Sequence, residues 1–392
     1  MIDINKSSYG FKPDVENNEI LFGMKALSNI NAATVQAIEE GRPYTGIKDF
    51  MSRVAINKSA MLMLIKSGAF DKLDYEWARQ FGCHPRQAIM AYYISIASEP
   101  KSRLTLQNFN GLMQRGLLPE SLDFQKRVFA FNKHLKAHCK IGQYYQFGAI
   151  EEQFYSQFFP MESLDVINGI TCILQSVWEK IYKAEMQTAK EYLTNNQNEM
   201  LKEFNAILFK DMWKKYAAGS TSAWEMESLC FYHGPHELAE VDTQRYGIVD
   251  FSSLPVEPEV DYFFRRGGRQ IPIFKLTKII GTVIAKNDAR SSVSILTTKN
   301  EVVNVKFTRD YYAMFGKQIS EKQDDGHKKV IEKSWFTRGT KIMVTGFRRD
   351  DMFVAKTYKS TATHQLYKIL NVKSNGELEL THDRYIPVED EE

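Results

Sequence analysis

Cysteine is scarce: there are four in 392 residues, at 83, 139, 172 and 230, with no CxxC pair among them. That scatter excludes a disulfide framework and suits a reduced, cytoplasmic setting. No apolar run approaches the roughly 18 residues a membrane-spanning helix needs, and no signal-type apolar segment opens the sequence, so no membrane partner is expected. A Walker loop, a GxSxG elbow and a dinucleotide fingerprint are all missing, which argues against P-loop hydrolysis, serine-hydrolase chemistry and nicotinamide redox chemistry. Glycine is missing too at the tightest bend of the N-terminal region. There Ser28-Asn29-Ile30-Asn31 interrupts "EILFGMKALSNINAATVQAIEEGRPYTGIKDFMSR".

What is present is a folded-protein composition, 43% hydrophobic and 25% charged, in a chain long enough for two or three domains. The net charge of +3 hides a strong asymmetry. Phe263 to Ile369 holds 22 Lys and Arg against 9 Asp and Glu, while the sequence ends in "EDEE". A basic module beside acidic ones points to a local polyanion contact; the alternative is a solvated basic face.

Periodicity divides the chain. Residues 1–73 read as a small helical module, with Asn57 as the N-cap of a helix and Gly68 just past its end. Residues 74–218 read as helical and aromatic-rich, and "AAGSTSA" is a linker leading into a connector over 219–262. From 263 to 370 the β-branched runs "IPIFKLTKIIGTVIAK", "SSVSILTT", "EVVNVKFT", "GTKIMVTGF" and "DMFVAKTY" bracket one helical piece, "RDYYAMFGKQI". Three strands, a helix and two strands is the order of a five-stranded OB barrel, with the basic stretch 318–338 as a loop beside it. A C-terminal strand and acidic tail complete 371–392. The expected fold class is α+β and multidomain: helix-hairpin-helix module, helical middle region, OB-type barrel.

Two short helices around a tight bend form a helix-hairpin-helix unit, whose hinge N–H groups make an anion nest for a DNA phosphate. Such hinges favour glycine because the backbone must reach positive φ; asparagine tolerates that region best among the other residues. The candidate contacts are Lys25, Ser28, Asn29, Ile30, Asn31 and Ala32. The alternative is a plain turn with no ligand.

Several stretches, in this order, resemble the C-terminal region of the bacterial and phage DNA polymerase III alpha subunit, the family C replicative polymerase. They are "FGMKALSNINAATVQAI", "DFMSRVAINKSAMLMLIKSGAFD", "WEMESLCFYHGPHEL", "IIGTVIAK" and "KSWFTRGTKIMVTGFRRDDMFVAKTY". Departures stand out: Asn29 and Asn31 fall where the family has hinge glycines, Ser28 where it has a lysine, and Pro235-His236-Glu237 replaces its His-Pro.

The resemblance implies a role in DNA replication: the hairpin module on duplex DNA, the OB face on single-stranded template. It also implies that catalysis and its Mg2+ belong to a palm that this chain does not contain, so no catalytic residue, cofactor or metal is expected here. A stand-alone DNA-binding accessory protein, or one half of a split polymerase working with a palm-bearing chain, are the alternative readings. The OB candidates are Lys306, Arg338, Lys341, Arg348, Arg349 and Lys356 for the backbone, with Trp335 and Phe336 either stacking on bases or plugging the barrel end. The family further implies a sliding clamp and a clamp-loader subunit as partners. The nearest clamp-peptide stretches are "QYYQF", with Gln143 and Phe147, and "SQFFPM", with Gln157, Phe158 and Phe159. Cys230-x-x-His233-x-x-His236 lacks the second ligand pair of a zinc site, and Asp324-Asp325 and Asp350-Asp351 read as solvated turn residues.

Overall fold

The computed structural model describes residues 2–322, 327–359 and 363–384. Asp324-Asp325 and the acidic tail lie outside the described residues. The chain forms two compact units, residues 1–90 with 217–392, and residues 91–216.

The N-terminal module contains α1 (Ala32–Glu40), α2 (Ile47–Arg53) and α3 (Lys58–Lys66). Each start has a local cause. Asn31 caps α1 by accepting from the Thr34 N–H at 2.8 Å, and Asn57 caps α3 by accepting from the Ala60 N–H at 2.9 Å. Asp74 reaches back to the Ile47 N–H of α2 at 2.8 Å. Gly68 at φ +81° closes α3 in the left-handed conformation a helix terminus favours. Val35, Ile38, Ile47, Phe50, Leu64 and Ile65 turn inward to a shared core.

The unit over 91–216 is built on α4 (Asp123–His134), α5 (Ala149–Phe158), α6 (Gln175–Asn195) and α7 (Gln197–Tyr216). Trp178 sits fully buried at its centre, and its indole N–H is satisfied by Asn132 Oδ1 at 3.0 Å. The helical expectation for this region needs one correction. Between 140 and 174 the chain forms a small antiparallel sheet, ordered Lys140–Ile141, Tyr144–Gln146, Ile170–Leu174, Asp165–Ile167. Two tight turns cause it, with Gly142 at φ +56° in one and Asn168-Gly169 at +54° and +76° in the other. Asn-Gly between apolar runs is the hairpin signal that a helical reading of the surrounding periodicity passes over.

Returning to the first unit, α8 (Thr221–Leu229) is capped by Ser220 and ends at Cys230, whose φ is +68°. A hairpin follows, β1 (Val260–Arg266) and β2 (Arg269–Phe274), so "IPIFKLTKIIGTVIAK" is two strands broken at Lys275-Leu276. Then come β3 (Thr277–Asn287), β4 (Ser292–Leu296), β5 (Val302–Lys306), α9 (Arg309–Gly316), β6 (Lys341–Arg349) and β7 (Met352–Ala355). β3 pairs with β4 and β6, β4 with β5, β5 runs parallel to β7, and β7 pairs with β6. That circuit closes a five-stranded barrel of OB type. Closure requires Gly346, because a Cβ there would collide with the Val354 carbonyl.

Val283, Val293, Ile295, Val303, Val305, Ile342, Val344 and Phe353 fill the barrel. β8 (Leu366–Val372) and β9 (Leu378–Thr381) extend the sheet beyond β6. The stretch 318–338 is not a simple loop: Ile319–Lys322 and Lys328–Glu332 pair as a hairpin.

Candidate nucleic-acid interface

At the hinge the two asparagines do different work. Asn29 is left-handed at φ +65°, the conformation for which glycine is the usual residue. Asn31 is extended, at φ −105° and ψ 174°, and its side-chain oxygen is spent on the Thr34 N–H and hydroxyl. The expectation that both positions need a residue tolerant of positive φ therefore holds for Asn29 alone. Ile30 between them is buried and pins the bend to the core, while Lys25, Ser28, Asn29, Asn31 and Ala32 are exposed.

The barrel sorts the basic candidates into two groups. Val303 and Val305 point inward on β5, so the two-residue period sends Lys306 outward. Phe353 and Ala355 do the same on β7 and turn Val354 out, with Lys356 just beyond the strand. Lys306, Lys356 and Arg309 line one groove of about 590 Å³, together with Phe307, Phe347 and the β2 end of the hairpin. Among the described residues these three cations make no ion pair, and Lys306 Nζ donates to the Arg290 carbonyl while still lining the groove. Arg349 stands beside the groove, over the Phe274 and Phe347 rings at 5.6 and 5.5 Å. At the adjoining β3–β4 turn, the Tyr312 hydroxyl donates to Asp288 at 2.7 Å and holds its carboxyl below the usual range.

The other candidates are committed elsewhere. Lys341 pairs with Glu237 at 2.9 Å, and Arg338 donates to the Ile284 carbonyl and to Cys230 Sγ at 3.1 and 3.0 Å. Arg348 donates to the Leu254 carbonyl at 3.0 Å and lies over Phe251. Trp335 and Phe336 are 0% and 1% exposed, packed on Phe315 and Tyr312 of α9. Base stacking is thereby corrected, since rings closed off by α9 present no face to a nucleotide. They plug the barrel end.

The clamp-peptide stretches are corrected on the same ground. Phe147 and Phe159 are core residues at 4% and 7% exposure and Phe158 is half-buried, while Gln143, Gln157 and the flanking Met161 are exposed. As folded, these aromatic rings have no reach into a partner's pocket.

His236 is buried with both ring nitrogens engaged, Nε2 with the Leu296 carbonyl at 3.2 Å and Nδ1 accepting from the Leu238 N–H at 3.0 Å. Burial lowers its pKa. Asp350 and Asp351 occupy the exposed β6–β7 turn. His134, Cys139 and Glu151 bring donor atoms within 4.8 Å of one another. Glu151 takes the His134 ring at 2.6 Å and the Gly148 N–H at 2.9 Å, so it also caps α5. Burial, then the Glu151 charge, pushes the Cys139 thiol up to about 11, a neutral donor within this network.

The feature that sequence reasoning missed is the β1–β2 hairpin. Arg265, Arg266 and Arg269 flank its Gly267-Gly268 tip, where both glycines have positive φ as a two-residue type I′ turn requires. The signal was legible as "YFFRRGGRQIPIF", a Gly-Gly pair between strand-forming runs.

Residues 1–80 match a family model described as a helix-hairpin-helix motif. The chain is 36% identical over 394 aligned residues to "Probable DNA polymerase YorL" of Bacillus subtilis (strain 168), a match covering 97% of this chain and 29% of the relative. "DNA-directed DNA polymerase" of Bacillus phage SPbeta matches with the same figures. "DNA polymerase III subunit alpha" of Thermus aquaticus is 38% identical over 76 residues, 18% of this chain and 6% of the relative. The chain is thus similar to part of a DNA polymerase along nearly its whole length, and to the DNA polymerase III alpha subunit over a shorter segment. It spans 29% of the length of the two Bacillus and phage relatives. The hairpin module and the barrel are fastened together through α8. Lys66 of α3 pairs with Glu227 of α8 at 2.7 Å, and Arg86 bridges Asp71 and Glu225 at 2.8 and 3.0 Å.

Among the described residues, no helix is long and apolar enough to cross a membrane.

Proposed function

We propose that this chain is a DNA-holding region of a family C replicative polymerase, gripping duplex through the hairpin module and single-stranded template along the barrel. One observation carries the reading: Lys306, Arg309 and Lys356, free of carboxylate partners among the described residues, line one groove on the outer face of a closed OB barrel. Such a surface tracks a phosphate backbone. Its attachment to the hairpin module through α3, Arg86 and α8 supports one body holding both forms of DNA. Its workplace would be the cytoplasm of a bacterial or phage-infected cell.

Nucleotide transfer is assigned to residues outside this sequence. Two-metal transfer needs a cluster of carboxylates. A palm-bearing chain, recovered by affinity capture from native lysate, is the partner this reading expects, and the purified chain alone should not extend a primer.

The test is single-stranded DNA binding by the full chain across a salt series. Each neutralised phosphate contributes about −0.7 to the log–log slope, so Lys306→Ala with Lys356→Ala should flatten it by about 1.4. Lys341→Ala, which removes a partner of Glu237, should leave the slope unchanged. Equal slopes for the groove double variant and the unaltered chain would remove the groove from this account.

A further inference from the structure

The β1–β2 hairpin presents aromatic and basic side chains to solvent. β1 is exposed along its whole length, and Tyr262, Phe263 and Phe264 are 48%, 57% and 51% accessible. Direct cross-strand partners share a face, which puts Tyr262 with Ile273, Phe264 with Ile271 and Arg266 with Arg269 on one side. Phe263 with Pro272 and Arg265 with Gln270 fall on the other. Both faces therefore carry aromatic and basic groups. A two-stranded hairpin of this kind is marginal alone, and exposed aromatic area of this size marks a partner's place.

The chemistry of that partner follows from what accompanies the rings. No carboxylate occurs between Tyr262 and Lys275, and Arg265, Arg266 and Arg269 form no ion pair among the described residues. The base of the hairpin forms one wall of the groove whose other wall carries Lys306, Arg309 and Lys356. Cations on the barrel wall and at the hairpin tip, with exposed rings along the hairpin, suit a polyanion that offers π faces. Unpaired bases offer those faces, whereas a duplex keeps them stacked inside.

We propose that the 260–274 hairpin is an arm that clasps single-stranded nucleic acid against the barrel. Its three arginines contact the backbone, and Tyr262, Phe263 and Phe264 stack on bases. The proposal rests on the reading of the groove as a single-strand site and adds a second, separable jaw to it. An apolar protein surface, for instance on a palm-bearing chain, is the competing occupant, and the basic tip disfavours it.

The experiment uses the full chain and a fluorescein-labelled dT20 oligonucleotide, with a 20-base-pair duplex as comparison. Arg265→Ala, Arg266→Ala and Arg269→Ala together should flatten the single-strand salt slope by about 2, the share of three contacts at 0.7 each. Phe263→Ala with Phe264→Ala should weaken dT20 binding at least fivefold while leaving the slope unchanged, because stacking releases no counterions. Duplex affinity should hold in both variants. An oligonucleotide carrying 5-iodouracil should photocrosslink to Tyr262, Phe263 or Phe264. Thermal melting reports whether each variant folds, and the outlying position of the hairpin makes that the expected result. Folded hairpin variants with unaltered dT20 affinity and slope, and no crosslink in the arm, overturn the proposal. If Lys306→Ala with Lys356→Ala still weakens binding in that event, the groove reading survives. If it does not, both fall.

Discussion

Arg86 and Glu225, 139 positions apart, meet at 3.0 Å with their side chains 3% and 6% exposed. The same guanidinium takes Asp71, and the second Glu225 oxygen accepts the His233 and Gly234 N–H groups at 2.8 Å each. This junction joins the hairpin module to the segment that enters the barrel. A buried charge stripped of its partner is far costlier than the pair is stabilising. Arg86→Met should therefore lower unfolding free energy by about 3–5 kcal/mol, measured by urea denaturation. Restoring much of that loss by adding Glu225→Gln would locate the cost in the orphaned carboxylate. Unchanged stability in Arg86→Met would mean the junction is not holding the two parts together.

The hinge asparagines should separate under substitution. Asn29→Gly keeps a left-handed residue and should leave the melting temperature near its original value, whereas Asn29→Ala should cost about 1–2 kcal/mol. Asn31→Ala removes a helix cap and should cost about 1 kcal/mol, with Asn31→Gly costing only a few tenths. Thermal melts of the four variants decide it. Equal sensitivity of the two positions to alanine and glycine would contradict the division of labour.

Trp335 should behave as core. Trp335→Ala should lose about 3–5 kcal/mol of stability through the cavity it leaves under α9. Single-stranded DNA affinity, corrected for the folded fraction, should stay where it was. A stable Trp335→Ala protein with weakened DNA binding would restore the ring to the interface.

His236 gives a pH signature. Burial is the largest cause of its lowered pKa, opposed by the Leu296 carbonyl and Glu237 and reinforced by Lys341. The unfolded imidazole, near 6.5, then binds its proton more readily than the folded one. Stability from this group is complete above about pH 6.5 and falls as pH drops from there toward the folded value. Protonation would also set an Nδ1–H against the Leu238 N–H, which Nδ1 now accepts. Denaturation midpoints measured from pH 7.5 to 5 should decline, and His236→Gln should remove part of that decline. A profile identical in the variant would assign the acid sensitivity to other groups.

The order of β-branched runs around one helix was enough to read an OB barrel, because a strand's two-residue period and a helix's 3.6-residue period are written locally. Asn57 and Gly68 were legible for the same reason: caps act within a turn of their own helix. Gly267-Gly268 and Asn168-Gly169 are equally local signals, two residues long and flanked by longer periodic runs. What tertiary structure alone decided is which charged and aromatic residues remain available. Lys306 and Lys341 look alike in sequence, but the carboxylate of Glu237, 104 residues away, neutralises one of them, while the other meets a backbone carbonyl and lines an open groove. Trp335 is spent beneath α9, and the hairpin aromatics at 262–264 are left in solvent. Burial and ion pairing depend on neighbours that only the closed chain brings within a few ångströms, so no local pattern carries them.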